Sequence, residues 1–365
     1  MTQAPLSDGR MAKWILLLTL LLVAAARLAA SQEPGANGSP PSDVPAAATP
    51  AAAEPTPTPG ESSTALLYQK LKDASVEVMV DDHLNGSGFF VDGKGLLMTA
   101  AHVIDRPDRR FEVLSPSAGR VEIEVVAVDL GHDLALLRVK QPRPEGYPAL
   151  KLAEAFPPPG EDVFLLGAAV FRHAVLLRGT VARDDTAFEY YTDKYVEVIH
   201  VAATVQSGTS GGPWVNRAGE IVGLQSGVMS INSIPVGVAN VVPLSAIREL
   251  IQDPRTRSTP VMGAGFEETW QQKRDFLDRF PPRTEGLVVR NLLADNPAAR
   301  AGLKLWDVVV AADGQKVRLS GELVRIVRQK QPGQSVNLTV LGPDGTGTRE
   351  VSVVLGKLEV AWPQP

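Results

Sequence analysis

Between residues 65 and 250 the chain runs in short apolar or alternating stretches. Val121-Glu-Ile-Glu-Val125 and Tyr195-Val-Glu-Val-Ile199 put an apolar side chain at every second position, the period of a half-buried strand. Leu134–Val139 is nearly all apolar and reads as a strand buried on both faces. Glycines and turn residues separate these runs. Only Ala65–Asp73 and Leu244–Ile251 carry a helical pattern. Many short strands with few helices predict a β-barrel or sandwich. Beyond residue 260 the pattern changes. Val336-Asn-Leu-Thr-Val340 and Val351–Leu355 alternate as strands, while Leu323, Ile326 and Val327 form one apolar stripe. That stripe predicts a helix over Ser320–Lys330, ended by Pro332-Gly333. Pro297–Ala301 predicts a second, short helix, with Asn296 as its cap and proline just inside.

The first 63 residues differ again. Trp14–Ala26 is apolar without a break, Arg10 and Lys13 precede it, and small residues follow through Ala29-Ala30. This is the order of a secretory signal. It is short for a membrane span of roughly 20 apolar residues, although adding Leu28–Ala30 nearly reaches that length across Arg27. A cleaved signal and a retained inner-membrane anchor both remain open. Either puts the bulk of the chain outside the cytoplasm, because the positive charge precedes the apolar run. Residues 31–63 hold Pro, Ala, Ser, Thr and Gly with a few acids, and no aromatic residue, Lys or Arg. Such a segment buries too little surface to offset its ordering entropy and reads as a semi-stiff spacer. The expected organisation is therefore a signal or anchor over 1–30, a spacer over 31–63, a β-rich domain over 64–252, a linker over 253–260, a small α+β domain over 261–357 and a tail over 358–365.

Composition adds two exclusions. The formal net charge is −5, and residues 1–30 carry more base (Arg10, Lys13, Arg27) than acid (Asp8), so the rest is more acidic still. That argues against a nucleic-acid partner, which needs a basic face. There is no cysteine, which excludes disulfides, thiolate zinc sites, a cysteine nucleophile and a lipidated cysteine.

The strongest chemical signal is Gly208-Thr-Ser-Gly-Gly-Pro213. A serine hydroxyl is a weak nucleophile and needs a base beside it. It also needs backbone N–H groups aimed at the oxyanion that its attack creates. Glycines on both sides permit the tight turn that gathers such groups. Ser210 is the candidate nucleophile, with the Gly208 and Ser210 amides as the oxyanion hole. The base must be one of five histidines. His102 is favoured, because the apolar run Leu96-Leu-Met carries it and the small residues Thr99–Ala101 leave room for its ring. Upstream, Gly86–Val91 reads as a strand paired with it through a turn at Asp92–Gly95. A third group must orient the imidazole and stabilise its charged form. Asp133 heads the buried run Leu134–Val139, where an acid is costly without a partner. Asp129 is its competitor. The chain order is then His, Asp, Ser, and a histidine base implies activity that falls below about pH 6–7.

Four blocks, Gly86-Ser-Gly-Phe-Phe-Val91, Leu97-Met-Thr-Ala-Ala-His-Val103, His132-Asp-Leu-Ala-Leu-Leu137 and Gly208-Thr-Ser-Gly-Gly-Pro-Trp-Val215, resemble in order those of the HtrA (Deg) serine proteases, and Gly219–Leu224 continues the match. The resemblance implies a mainly β fold: a two-lobed, chymotrypsin-like double β-barrel, with the His-bearing lobe first. Glu285–Val289, Asn296–Leu303, Trp306–Val310 and Asp313-Gly-Gln315 resemble a single PDZ domain. In PDZ domains a peptide adds as a strand to a sheet edge and a glycine loop holds its carboxylate; Val261, Met262, Gly263 and Ala264 match that loop by position. Glu267–Arg279 resembles a helix carried by some single-PDZ members. The family's pattern departs at Thr209, where Asn is usual, at Ala202, where Asp is usual, and at the oxyanion-switch arginine, for which Arg183 is the candidate substitute. The implied function is an ATP-independent serine endopeptidase acting on misfolded or damaged exported proteins. The PDZ domain captures peptide C-termini, no cofactor or metal is needed, and the implied assembly is a homotrimer or higher trimer-based oligomer, periplasmic or membrane-anchored. The rivals are a membrane-anchored sensor protease with one target, and an inactive protease serving as a PDZ binding or chaperone module.

Overall fold

A computed structural model describes residues 63–104, 109–191, 193–231 and 234–358. The expected signal or anchor, spacer and tail lie outside the described residues, apart from the border positions Ser63 and Leu358. Among the described residues no helix is long and apolar enough to cross a membrane.

Helix α1 (Ser63–Ala74) buries Leu67, Leu71 and Ala74 against the first barrel. That barrel comprises β1 (Ser75–Val80), β2 (His83–Phe90), β3 (Leu96–Ala100), β4 (Phe111–Ser115), β5 (Gly119–Asp129) and β6 (Leu134–Val139), closed in the order β1-β2-β3-β6-β5-β4. Closure removes the exposed sheet edges. Phe89, Phe90, Leu97, Met98, Leu134, Leu136 and Leu137 belong to its core cluster, all without solvent exposure, so these strands are buried on both faces. The turn between β2 and β3 is set by Asp92, whose Oδ1 accepts the Lys94 and Leu96 amides at 2.8 and 2.9 Å. The register of β3 on β6 puts Ala100 opposite Leu134, so the end of one strand meets the start of the other.

The second lobe holds β7 (Asp162–Gly167), β8 (Val175–Val181), β9 (Ala187–Tyr191), β10 (Lys194–Ala202), β11 (Pro213–Val215), β12 (Ile221–Ile231) and β13 (Ile234–Pro243). The order β13-β12-β11-β7-β8-β10 closes on itself where β10 pairs with β13, and β9 extends β10 as a hairpin. Trp214 is fully buried at its centre, and its indole N–H donates to Gln225 Oε1 at 2.8 Å, so the ring's polar edge is satisfied. Helix α2 (Leu244–Gln252) then packs Leu244, Ala246, Ile247 and Leu250 inward. Both helices expected in this region are therefore present, each starting or ending within two residues of its pattern.

Residues 253–259 run along β5. Arg257 N donates to the Val128 carbonyl at 2.9 Å, and Val128 N donates to Thr256 Oγ1 at 3.3 Å. The last domain contains β14 (Pro260–Val261), β15 (Ala264–Glu268), α3 (Arg274–Leu277), β16 (Leu287–Leu292), α4 (Pro297–Arg300), β17 (Val308–Ala312), β18 (Gln315–Lys316), α5 (Ser320–Arg328), β19 (Ser335–Leu341), β20 (Thr348–Val354) and β21 (Gly356–Lys357). Its sheet runs β15-β16-β17-β19-β20, with β14 paired to β21. The charged stretch 267–279 differs from the helix expected there. Glu267 and Glu268 extend β15 against Val288 and Leu287, and only Arg274–Leu277 is α-helical. Phe266, Phe276 and Phe280 are buried, and seating those three rings governs this stretch more than its helix-forming acids and bases do.

Candidate active site

His102 sits in a single helical turn, Ala101–Ile104, that follows β3. Asp133 precedes β6 and holds a left-handed backbone, φ +54. Aspartate tolerates that region better than most residues. The pairing of Ala100 with Leu134 brings the two turns together, and the Ala101 amide donates to the Asp133 carbonyl at 3.0 Å. The imidazole Nδ1 of His102 then lies 2.7 Å from Asp133 Oδ2, and the His102 amide donates to Oδ1 at 3.0 Å. Asp133 is wholly buried. Burial alone would raise its carboxyl. The His102 charge and hydrogen bonds from His102 and Ser226, with Lys194 beyond, outweigh it and hold the carboxyl below the usual carboxylate range.

The competing assignments separate cleanly. Asp129 accepts from His132 Nδ1 at 2.7 Å rather than from His102. His200 is engaged by Glu189 at 3.0 Å, His173 by Glu77 at 2.5 Å, and His83 by the Asp81 carbonyl at 3.0 Å. His102 is the one of the five that faces Asp133.

Ser210 comes from the other barrel. Its carbonyl accepts the Ser87 amide at 2.7 Å, and the next amide, Gly211 N–H, donates to the Gln225 carbonyl at 2.7 Å. These bonds clamp the turn that carries Ser210 between β2 and β12. The Ser210 hydroxyl donates to the Ser226 carbonyl at 3.2 Å, long for such a bond and easily exchanged for another acceptor. Gly208 has φ +92, and a Cβ there would meet the Ala168 carbonyl oxygen at 2.2 Å, so only glycine fits. Its carbonyl accepts Ser87 Oγ at 2.8 Å, which in turn accepts the Ala168 amide at 3.0 Å. Among the described residues, neither the Gly208 nor the Ser210 amide donates to a protein acceptor.

Three supporting residues carried no role in the sequence pattern. Ser226 Oγ donates to Asp133 Oδ2 at 2.6 Å while its own carbonyl takes the Ser210 hydroxyl, so one residue touches Asp133 and Ser210 together. Ser87 ties the first barrel to the Gly208 carbonyl. Tyr191 meets the His102 ring edge-on, with centroids 6.2 Å apart. Ser87 and Ser226 lie within or just after blocks singled out by sequence, but a serine's partner is invisible without the fold. The departures are also placed. Thr209 is buried and donates to the Gln206 carbonyl at 2.7 Å. Arg183 is chelated by Asp185 at 2.7 Å through both nitrogens and does not engage the oxyanion turn. Ala202 ends β10 opposite Thr180 and Val238.

In the last domain, Val261, Met262, Gly263 and Ala264 border a cavity of about 30 Å³ together with Val324, Val327 and Arg328 of α5. Gly263 has φ +73. Tyr190 and Tyr195 of the β9–β10 hairpin line the same cavity. The Phe266 amide on β15 donates to Tyr195 Oη at 2.9 Å, and burial holds that phenol above its usual value. Asn291 Nδ2 donates to Asp193 Oδ1 at 3.2 Å across the same junction.

Comparison with known proteins agrees with the fold. Residues 86–224 match the trypsin-like peptidase domain and residues 260–353 match the PDZ domain. A probable periplasmic serine endoprotease, DegP-like, from Halomonas elongata is 29% identical over 76% of this chain and 56% of its own length. The putative serine protease HhoA of Synechocystis is 28% identical over 71% of this chain and 68% of its own. The chain spans 53% to 57% of the length of the DegP-like relatives it matches. Among solved structures, the HtrA-type protease AlgW with decapeptide aligns with a TM-score of 0.55 at 19% identity, covering 82% of this chain and 98% of that one. A serine endoprotease from Yersinia pestis aligns with a TM-score of 0.54 at 22% identity, covering 84% of this chain and 100% of that one. With the double barrel and the two domain matches in order, the chain carries a trypsin-like peptidase domain followed by one PDZ domain, and in this it is similar to the DegP-like and HtrA-type serine proteases.

Proposed function

We propose that this chain is an ATP-independent serine endopeptidase that hydrolyses misfolded or damaged exported proteins. The observation that carries the reading is the 2.7 Å pair of Asp133 and His102, linked through Ser226 to a Ser210 held on a glycine turn. His102 removes the Ser210 proton as the hydroxyl attacks the scissile carbonyl, then returns it to the leaving amine. Asp133 orients the ring and stabilises its charged form. The Gly208 and Ser210 amides receive the oxyanion. Each step uses groups of this chain alone, and removing any triad member leaves a residue of roughly 10³–10⁴ over water.

The PDZ domain binds peptide C-termini through Val261, Met262, Gly263 and Ala264, for capture or activation. The chain acts outside the cytoplasm, as the names of its periplasmic relatives suggest, and assembles as a homotrimer or a larger trimer-based oligomer. The contact of Tyr195 with β15 favours one variant of this reading, a sensor protease whose PDZ domain reports on exposed C-termini. Labelling with a serine-reactive fluorophosphonate tests the core of it. The wild type should label and cleave unfolded casein, and Ser210→Ala should do neither. A wild type that neither labels nor cleaves, with or without C-terminal peptides, overturns it.

A further inference from the structure

The turn Gly131-His132-Asp133 is reached by a side chain from the far domain. Arg328 ends helix α5, and its guanidinium Nη2 donates to the Tyr195 carbonyl at 2.6 Å and to the Gly131 carbonyl at 3.3 Å. The Gly131 carbonyl also accepts the Glu197 amide at 3.0 Å. Contact with the turn is close: a Cβ on Gly131 would lie 2.0 Å from Arg328 Nη1. Asp129 and Glu197 supply the opposing charge for this half-buried cation, and both also hold His132, at 2.7 and 3.4 Å.

We propose that Arg328 is a positioning residue for the protease site, supplied by the PDZ domain and acting through Gly131 to hold the backbone that presents Asp133 to His102. This rests on the serine-protease reading. The turn needs such a fastener. Asp133 sits in a left-handed backbone region, costly for a residue with a Cβ, and persists there because its surroundings over-determine it. Gly131 is two residues away, and its carbonyl is fixed on one side by β10 and on the other by Arg328. A misplacement of about 1 Å in a catalytic group costs on the order of 10²-fold in rate. Loosening the turn therefore slows chemistry without touching substrate binding.

The test uses full-length protein and a short fluorogenic peptide that does not require PDZ capture. Arg328→Met should lower kcat at least about tenfold with KM unchanged, and should shift the low-field proton resonance of the His102 Nδ1–H. Arg328→Lys, which keeps the charge but loses the planar guanidinium whose Nη2 reaches both carbonyls, should fall between. The control is Arg325→Met, one turn earlier on α5, whose guanidinium bonds the Thr186 carbonyl at 3.0 Å and does not reach the turn; it should retain wild-type kcat. Gly131→Ala approaches the same contact from the other side, and its loss should not add to that of Arg328→Met. A kcat within twofold of wild type in Arg328→Met, or an equal loss in Arg325→Met, overturns the proposal. A wild type that fails to label with fluorophosphonate overturns the protease reading instead.

Discussion

The Ser226 hydroxyl donates to Asp133 Oδ2 at 2.6 Å, and that same carboxylate oxygen receives His102 Nδ1. A wholly buried carboxylate depends on such bonds, since each offsets part of its lost hydration. A hydrogen bond to a charged group contributes about 1.5–3 kcal/mol. Ser226→Ala should therefore lower kcat by roughly tenfold or more, with KM nearly unchanged, because the Ser226 backbone carbonyl still receives Ser210. Steady-state kinetics on a fluorogenic peptide reads both constants.

Gly208→Ala should abolish the ordered oxyanion turn. The added Cβ meets the Ala168 carbonyl oxygen at 2.2 Å, and the φ of +92 is closed to alanine. Loss of one oxyanion donor costs about 10²–10³ in kcat. The fluorophosphonate labelling rate should drop by a comparable factor, and the thermal midpoint should fall with it, because alanine at this positive φ is strained.

Tyr195→Phe should strengthen peptide binding at the PDZ domain. The mutation frees the Phe266 amide, which in a strand-addition mode would pair with a peptide carbonyl. A typical hydrogen bond contributes about 1 kcal/mol, so affinity for a peptide with an apolar C-terminus should rise about fivefold. Fluorescence polarisation with a labelled peptide measures it, and an unchanged affinity would mean that Tyr195 does not compete.

Alkaline pH should weaken the interdomain junction. Burial by itself would lower the His132 imidazole, but hydrogen bonds and charge from Asp129 and Glu197 outweigh it and push its pKa up from 6.5 to about 9. A folded-state pKa above the unfolded one contributes stability that is complete below the unfolded pKa and lost as pH rises through the folded pKa. The thermal midpoint should therefore fall between roughly pH 7 and pH 10, by no more than about 3 kcal/mol in stability, and His132→Gln should flatten that slope.

The three triad candidates were legible in the sequence because each sits in a local block whose backbone its neighbours dictate. Glycines around Ser210, small residues before His102 and an apolar run after Asp133 are all short-range signals. Between Asp133 and Asp129 the sequence favoured Asp133, and the register of β3 on β6 brings that residue to His102. Arg183 shows the opposite case. It stood at a suitable position for the oxyanion switch, yet a carboxylate two residues away chelates it first.

What the sequence determined by itself is therefore the strand-rich first region, the mixed second one, the nucleophile turn and the candidates for base and acid. All follow from period, turn chemistry and the cost of burying an unpaired charge. Only the tertiary structure decided which serine supports Asp133, 93 positions away, and which arginine reaches Gly131, 197 positions away. Those contacts depend on how two barrels and a third domain pack, and no spacing along the chain encodes the direction in which a side chain will find its partner.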